Sequence, residues 1–125
     1  INCRKHGVAD RVQLLSGDLL IPLQQSVDII VANLPYIPDG ELDKLAPEVS
    51  RYEPGLALSG GPDGLDYIRR LLDQAPDKLN TGGALLLEVG MGQAEVVAGM
   101  AHQCFSNVTI AADLAGIGRV VVGRL

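Results

Sequence analysis

Two apolar runs constrain the fold of this chain more than any other feature. Residues 27–33 (VDIIVAN) and 84–90 (ALLLEVG) are dominated by aliphatic side chains and lack the strict alternation of a half-exposed strand. Such runs are typical of parallel strands that are buried on both faces. Between them lies a segment with helical periodicity, which can provide the crossover connection. Together they predict an α/β layer fold with a mostly parallel sheet.

The first half of the chain contains weaker signals before and after its apolar run. Residues 1–8 predict the end of a helix that closes at Gly7, and residues 11–16 predict a short strand. Residues 37–62 show no convincing period, although a short helix is predicted at 41–45. An irregular segment of this length inside a domain is usually functional or disordered.

A helix is predicted over residues 63–79, where apolar residues recur at helical spacing. Asp63 is its expected N-cap, and Asp66 is the expected acid of a capping box. Pro76 is expected to kink this helix or to end it early. A turn at residues 81–83 (TGG) then leads into the second apolar run.

The C-terminal part of the chain predicts one more helix, at 93–105, and two closing strands, at 107–113 and 118–125. Because the connection between these strands is short, we expect them to form an antiparallel hairpin. Arg119 and Asp113 are expected to pair across this hairpin.

The composition indicates one domain and argues against some classes of function. Of 125 residues, 47% are hydrophobic and 20% are charged, which is enough to bury a core. The net charge of −5 argues against a nucleic-acid surface, which needs clustered basic residues. Cys3 and Cys104 match no metal or redox spacing, and His6 and His102 have no suitable partners, so we expect reduced thiols and no metal site. With no apolar run long enough for a membrane span and no signal peptide, we expect a cytoplasmic protein.

The residues that follow the first apolar run carry the strongest indication of chemistry. Asn33, Leu34, Pro35 and Tyr36 stand where a parallel strand would end, and ligands of open α/β sheets bind at that edge. Pro35 makes the turn stiff, so the Asn33 carboxamide and the Pro35 carbonyl can face the same space. Each can accept one hydrogen of a planar NH₂ group, and Tyr36 can stack on it.

Such a clamp suits a weak nitrogen nucleophile, either a carboxamide or the exocyclic amine of a base. Catalysis would come from positioning and from stabilising charge as it develops. Glu88, at the end of the second apolar run, is expected at the same sheet edge, with a role in the cleft or in the backbone structure. The structural alternative is that Asn33 ends a strand and that Pro35 and Tyr36 form an ordinary turn.

Residues 33–36 (NLPY) resemble the Asn/Asp-Pro-Pro-Tyr motif of S-adenosylmethionine-dependent amino-methyltransferases. Further segments occur in order along the chain: NLPYIP at 33–38, YEPGLALSGGPDGLDYIRRLL at 52–72, GGALLLEVGMGQ at 82–93, and a D-x-x-G-x-x-R-V pattern from Asp113 to Val120. Together they resemble the bacterial release-factor glutamine N5-methyltransferases, the HemK-like family. The resemblance covers nearly the whole chain.

The resemblance implies a class I S-adenosylmethionine-dependent methyltransferase fold, which is Rossmann-like. It also implies methylation of the side-chain amide of the glutamine in the Gly-Gly-Gln loop of peptide-chain release factors. Asn33 and Pro35 would orient this amide, Leu34 would contribute its backbone, and Tyr36 would pack over the amide. Glu53, within Tyr-Glu-Pro, would belong to a wall or lid near the substrate.

The cofactor implied by the resemblance is S-adenosylmethionine. Asp18 and Leu19 match the family's acidic position and its neighbour, beside which the adenine ring lies. Asn33 would also contact the cofactor. The implied partners are release factors, with no direct nucleic-acid binding and no membrane.

The chain departs from the family pattern in two ways. Leu34 replaces the commoner proline, a tolerable change if only the backbone matters there. The chain also lacks the glycine-rich strand-to-helix turn for the methionine end of the cofactor and the next acidic strand. The resemblance would put these, and a helical substrate domain, before Ile1. Residues 1–125 are therefore expected to be only the C-terminal part of the catalytic domain, a truncated, mostly parallel sheet with an antiparallel hairpin.

The family's strand order, 3-2-1-4-5-7-6, has a consequence for such a part. Without strands 1 and 2, the strand at 11–16 has no neighbour and the strand at 27–32 becomes an exposed apolar edge. Exposed edges promote association. We therefore expect either self-association through 27–32 or local re-pairing of 11–16.

Two other functions remain open from the sequence. An adenine N6-methyltransferase acting on RNA or DNA could carry the same tetrapeptide, which also resembles that of the ribosomal-RNA adenine dimethylases. The Tyr-Glu-Pro and Gly-Gly-Pro-Asp-Gly segments and the acidic charge favour the protein substrate. Alternatively, the chain alone is a catalytically incomplete binding or assembly segment.

Overall fold

A single four-stranded sheet organises the computed structural model, which describes residues 1–44 and 57–125. The elements follow the chain as α1 (Asn2–Lys5), β1 (Val27–Asn33), a 3₁₀ helix (Asp39–Lys44), α2 (Asp66–Lys78), β2 (Leu79–Glu88), α3 (Ala94–Ala101), β3 (Asn107–Ala112) and β4 (Gly118–Arg124). The strand order is β1-β2-β4-β3, with β1 and β2 parallel and the other pairs antiparallel. The predicted α/β character and the antiparallel hairpin of the last two strands are confirmed. The prediction of a mostly parallel sheet is wrong for the strand pairing, because β4 runs antiparallel to both β2 and β3.

Helices α2 and α3 contact each other and cover one face of the sheet. Aligned residues of three neighbouring strands, Ala32, Leu87 and Val121, belong to the core that packs beneath these helices. The inner face of α2 contributes buried residues at helical spacing: Ile68, Leu71, Leu72 and Ala75. Burying a large aliphatic side chain of this kind stabilises the fold by about 1.5–3 kcal/mol. The core therefore lies between the two helices and the middle of the sheet.

The prediction that both faces of the first apolar strand are buried is wrong. In β1 only Ile30 is buried, whereas Ile29 is 61% and Val31 is 75% exposed. Ile30 and Ala32 on one face of the strand join the core, and in the described part of the chain only β2 pairs with it. The expectation that this strand forms an exposed apolar edge is therefore confirmed.

The strand predicted at residues 11–16 is absent. This segment runs without regular structure, and Leu14 is 81% and Leu15 is 52% exposed. An extended segment becomes a strand only when a neighbour accepts its ladder hydrogen bonds. None of the described strands pairs with it, so neither the predicted strand nor its local re-pairing is seen. The predicted N-terminal helix is short, and Gly7 follows it at a φ of 65°.

The N-cap prediction for Asp63 is also wrong. Helix α2 begins at Asp66, with Leu65 at the N-cap position. Gly64 lies at a φ of 78°, which a right-handed helix cannot include, so residues before it are excluded from the helix. Asp63 instead accepts a hydrogen bond from the Leu65 amide over 3.1 Å. Pro76 lies inside α2 and does not end it, because the helix continues to Lys78.

Three other boundaries differ from the predictions. The turn expected at 81–83 lies within β2, where the ladder to β1 is interrupted by a bulge and Gly82 has a φ of 76°. Helix α3 ends at Ala101 because the chain then turns toward β3. The short helix expected at 41–45 is a 3₁₀ helix over Asp39–Lys44, and Leu45 lies outside the described residues.

Candidate functional site

The carboxyl ends of β1 and β2 place two polar residues side by side. Asn33 and Glu88 are partners in the last pair of the parallel ladder. Asn33 is exposed, whereas Leu34 and Tyr36 are half-buried and pack against the core. The amide is therefore presented to solvent on a turn whose apolar residues are anchored. Glu88 is near Asn33, as the sequence predicts.

A cavity of about 280 Å³ opens at this turn. Its walls are formed by Asn33, Leu34, Pro35, Tyr36, Ile37, Ala57 and Leu58. All four residues of the predicted clamp thus line one concave space. The cavity is large enough for a side-chain carboxamide, and its polar groups include the Asn33 amide.

The far wall of this cavity is tied to the turn by backbone hydrogen bonds. The Ile37 amide donates to the Leu58 carbonyl over 3.1 Å, and the Gly60 amide donates to the Ile37 carbonyl over 2.9 Å. Two residues further, the Asp39 amide donates to the Gly61 carbonyl over 3.0 Å. These bonds hold residues 57–61 against the segment that follows Tyr36.

A glutamine that the sequence did not single out joins the turn to the end of β2. Gln93 donates from Nε2 to the Tyr36 carbonyl over 2.9 Å, and its Oε1 accepts from the Gly90 amide over 2.8 Å. A Cβ at Gly64 would lie 2.3 Å from the Tyr36 oxygen, so only glycine leaves room for this arrangement. The signal in the sequence was the Gly-Met-Gly-Gln stretch between the second apolar run and the following helix.

The predicted cofactor residues lie in a separate segment that α2 holds in place. Asp18 forms an ion pair with Arg70, and the Leu20 amide donates to Gln74 Oε1 over 3.0 Å. Leu19, between them, has a φ of 49° and is the one described non-glycine residue at positive φ. A leucine rarely adopts this conformation without a constraint on both sides. Asp18 and Leu19 do not line the cavity beside Asn33.

A third contact extends this anchoring along the same helix face. Lys78 donates from Nζ to the Leu23 carbonyl over 2.5 Å. Arg70, Gln74 and Lys78 are spaced four residues apart, so they lie on one face of α2. That face holds three points of the segment between Asp18 and Leu23.

An ion cluster at the start of α2 sets the local electrostatics. Arg69 pairs with Asp63 over 2.5 Å and with Asp66 over 3.3 Å. The hydrogen bond from Arg69 lowers the pKa of the Asp63 carboxyl and raises that of its own guanidinium. These carboxylates are therefore already partnered by Arg69 within the chain.

Arg119, Asp113 and the two cysteines have contacts that are typical of structural residues. Arg119 pairs with Asp113 over 3.2 Å at the final hairpin, as predicted. Cys3 and Cys104 are free, and burial, with a smaller effect of Asp73, raises the pKa of the Cys104 thiol. A raised thiol pKa disfavours the reactive thiolate at neutral pH.

The described residues, 1–44 and 57–125, contain neither a metal-ligand cluster nor a membrane-spanning helix. Within those ranges, no three His, Cys, Asp or Glu side chains are grouped so that they could hold a metal ion. None of the helices described there is both long and apolar enough to cross a membrane. Glu53 and the rest of the Tyr-Glu-Pro stretch lie outside the described residues.

The arrangement at the end of β1 can bind a planar NH₂ group. The Asn33 side-chain oxygen and the Pro35 backbone carbonyl are acceptors on residues that line the same cavity. Pro35 has no amide hydrogen to compete for those acceptors. Both groups accept hydrogen bonds and neither is a strong base, so the arrangement is suited to a nitrogen that loses its proton late.

Comparison with known proteins shows extensive similarity to one group. The chain is 49% identical over 126 residues to the release factor glutamine methyltransferase of Geobacter sulfurreducens, which covers 99% of the chain and 44% of that protein. It is 43% identical over 125 residues to the protein of the same name from Cereibacter sphaeroides, covering 99% of the chain and 45% of the relative. For that from Thermosynechococcus vestitus, identity is 41% over 129 residues, covering 99% and 44%. No protein-family model matches the chain.

The aligned stretch covers 99% of the chain and so includes the cavity at the end of β1 and the segment held by α2. The chain spans somewhat less than half the length of these curated relatives. Over the stretch that it covers, the chain is therefore similar to the release factor glutamine methyltransferases.

Proposed function

We propose that this chain is the C-terminal part of the catalytic domain of a release factor glutamine methyltransferase, with a class I, Rossmann-like fold. The strand order β1-β2-β4-β3 supports this because it corresponds to strands 4-5-7-6 of such a sheet. The substrate would be the side-chain amide of the glutamine in the Gly-Gly-Gln loop of peptide-chain release factors. Such a protein would be cytoplasmic, since release factors act there.

The observation that carries this function is the cavity that Asn33 and Pro35 line together. Their oxygens would each accept one hydrogen of the glutamine NH₂ group, which fixes the nitrogen lone pair in one direction. Tyr36 would pack over the flat amide. In such a transfer the amide nitrogen would form a bond to the methyl carbon as the bond from that carbon to sulfur breaks, and the nitrogen would then lose one proton to water.

S-adenosylmethionine would supply the methyl group as an electrophile on a sulfonium sulfur. The residues present fit its adenine end: Asp18 has a carboxylate that is half exposed although it pairs with Arg70, and carboxylates accept hydrogen bonds from an exocyclic amine. Leu19 would contact the ring and Asn33 the reacting end. Glu53 would contribute to a substrate wall.

Transfer of labelled methyl from S-adenosylmethionine to a release factor tests this function. The transfer should be measured with this chain and with the longer protein that contains its sequence. The matched substrate is the same release factor with its loop glutamine changed to alanine. Label on the first factor and none on the second is the expected result.

Label on ribosomal RNA or DNA, and none on either factor, would overturn the proposal in favour of an adenine amino group. Failure of this chain alone, with transfer by the longer protein, would identify the chain as a catalytically incomplete segment. The net charge of −5 makes direct nucleic-acid binding unfavourable, which is a further reason to expect a protein substrate.

A further inference from the structure

The carbonyl of Tyr36 and the amide of Gly90 are linked through one side chain. The primary amide of Gln93 donates to the first over 2.9 Å and accepts from the second over 2.8 Å. The two bonds use both functions of the amide, so no other natural side chain of the same length can form both. They connect the cavity turn to the end of β2 beyond the last ladder pair.

Gln93 is itself held at a fixed place by the start of α3. Its backbone amide donates to the Gly90 carbonyl over 3.1 Å, and its carbonyl accepts from the Val97 amide over 3.0 Å. The helix that follows is anchored because Ala94, Val97 and Ala98 are buried in the core. The side-chain amide thus extends from a rigid support.

Two glycines leave the space that this side chain occupies. A Cβ at Gly90 would lie 2.8 Å from Gln93 Oε1 and 3.1 Å from Tyr36 Cδ2. A Cβ at Gly64 would lie 2.8 Å from Gln93 Nε2 as well as against the Tyr36 carbonyl. The contact is therefore flanked by backbone at Gly64 and Gly90, and both of its hydrogen bonds are partly buried.

We propose that Gln93 is a positioning residue for the acceptor pair of Asn33 and Pro35; this rests on the proposed function. The Pro35 carbonyl lies in the peptide before Tyr36, and the carbonyl held by Gln93 lies in the peptide after it. Rotation about the Tyr36 backbone bonds would move one carbonyl relative to the other. By fixing the second, Gln93 restricts the direction of the first, which is the oxygen that would hold the substrate amide.

Two substitutions separate the two bonds of Gln93. Gln93→Met is nearly isosteric and removes both. Gln93→Glu keeps an oxygen for the Gly90 amide but places a second carboxylate oxygen against the Tyr36 carbonyl, where it is repelled. Gln103→Met is the matched control, since Gln103 is exposed just beyond the end of α3.

Amide hydrogen exchange on the chain itself tests the contacts without any activity. In Gln93→Met, exchange should accelerate at Gly90 and at Ile37, whose amide bonds the cavity wall. In Gln93→Glu, exchange should accelerate at Ile37 and remain slow at Gly90. Unchanged exchange at Ile37 in both variants would overturn the proposal, because the turn would then be held without Gln93.

Methyl transfer by the longest active protein tests the consequence for catalysis. We expect both variants to lower kcat/KM about 100-fold, the scale for a misplacement of about 1 Å, with most of the loss in kcat. Gln103→Met should leave both constants within about twofold. Wild-type kcat in Gln93→Glu, despite faster exchange at Ile37, would refute the positioning role. If the wild type transfers no methyl to a release factor, the proposed function fails, while the exchange at Ile37 still decides whether Gln93 holds the turn.

Discussion

Asn33 and Glu88 lie side by side in the last pair of the parallel ladder, where two strands end at one edge of the sheet. The exposed residue of the pair carries a neutral amide, and its partner carries a carboxylate. Tyr36 follows the first strand and Gly90 follows the second, and Gln93 forms a hydrogen bond with the backbone of each. The polar groups of the candidate site are thus fixed by a ladder on one side and by a side-chain amide on the other.

Replacing Asn33 should abolish most methyl transfer without unfolding the chain. In Asn33→Ala we expect kcat to fall by about 100-fold or more, because one of two acceptors for the substrate amide is lost. The free energy of unfolding should change by less than about 0.5 kcal/mol, since the side chain is exposed. Asn107→Ala, an exposed asparagine at the start of β3, is the control. Equal activity of the two variants would remove Asn33 from the site.

Loss of Arg70 should weaken cofactor binding more than stability. Arg70→Met releases the Asp18 carboxylate from its ion pair, so the segment beside the predicted adenine position loses one of its anchors on α2. We expect the Kd for S-adenosylmethionine to rise several-fold, while an exposed pair of this kind contributes about 1 kcal/mol or less to stability. Calorimetric titration measures the Kd of Arg70→Met and that of the control variant, Arg124→Met. An unchanged Kd would show that this anchor does not affect the cofactor.

A side chain at Gly64 should disrupt both the fold and the site. Gly64→Ala places a Cβ 2.3 Å from the Tyr36 carbonyl oxygen at a φ of 78°. We expect the free energy of unfolding to fall by about 1–3 kcal/mol. Gly99→Ala, inside α3 with open space around its Cβ, should instead stabilise by up to about 1 kcal/mol. Urea denaturation of both variants checks the contrast, and equal stabilities would contradict the close approach at Gly64.

The apolar edge formed by β1 should drive self-association of the chain. Val31 is 75% exposed on the strand, and Ile29 on the same face is 61% exposed. Val31→Lys puts a charge on that edge, so it should shift sedimentation toward the monomer, as edge charges oppose strand pairing. Thr109→Lys, on β3 at the opposite edge of the sheet, is the control. A monodisperse wild-type monomer whose β1 amides exchange freely would contradict the association.

Acid should weaken the closing hairpin. The Ile117 amide, followed by Arg119 and the Ala115 amide, lowers the pKa of the Asp113 carboxyl below its ordinary value of 3.8. The folded state then binds its proton less readily than the unfolded state, so this stabilisation is complete above about pH 4 to 5 and is lost as pH falls through the lowered pKa. The free energies of unfolding of wild type and Asp113→Asn can be measured by denaturant titration between pH 6 and 2. They should converge at low pH, where the Asp113 carboxyl of the wild type is protonated and no longer stabilises the hairpin. Parallel curves over the whole range would exclude this role.

Local patterns were sufficient to predict the elements that depend on their own residues. The two apolar runs, the amphipathic helix between them and the closing hairpin all appear in the structure, because burial of an aliphatic face depends on spacing along the chain. The pair of Arg119 and Asp113 followed from the short hairpin connection. The predicted N-cap at Asp63 failed because Gly64 turns the chain just after it.

The sequence alone therefore determined the α/β class, the stiff Asn-Leu-Pro-Tyr turn and its family resemblance. Only the tertiary structure decided which residues support that turn, since Gln93 and Gly64 meet Tyr36 from distant parts of the chain. It also decided that residues 11–16 form no strand, because strands need partners that no local pattern contains. Side-chain periodicity is a property of the segment, whereas hydrogen-bond partners and close approaches are properties of the whole fold.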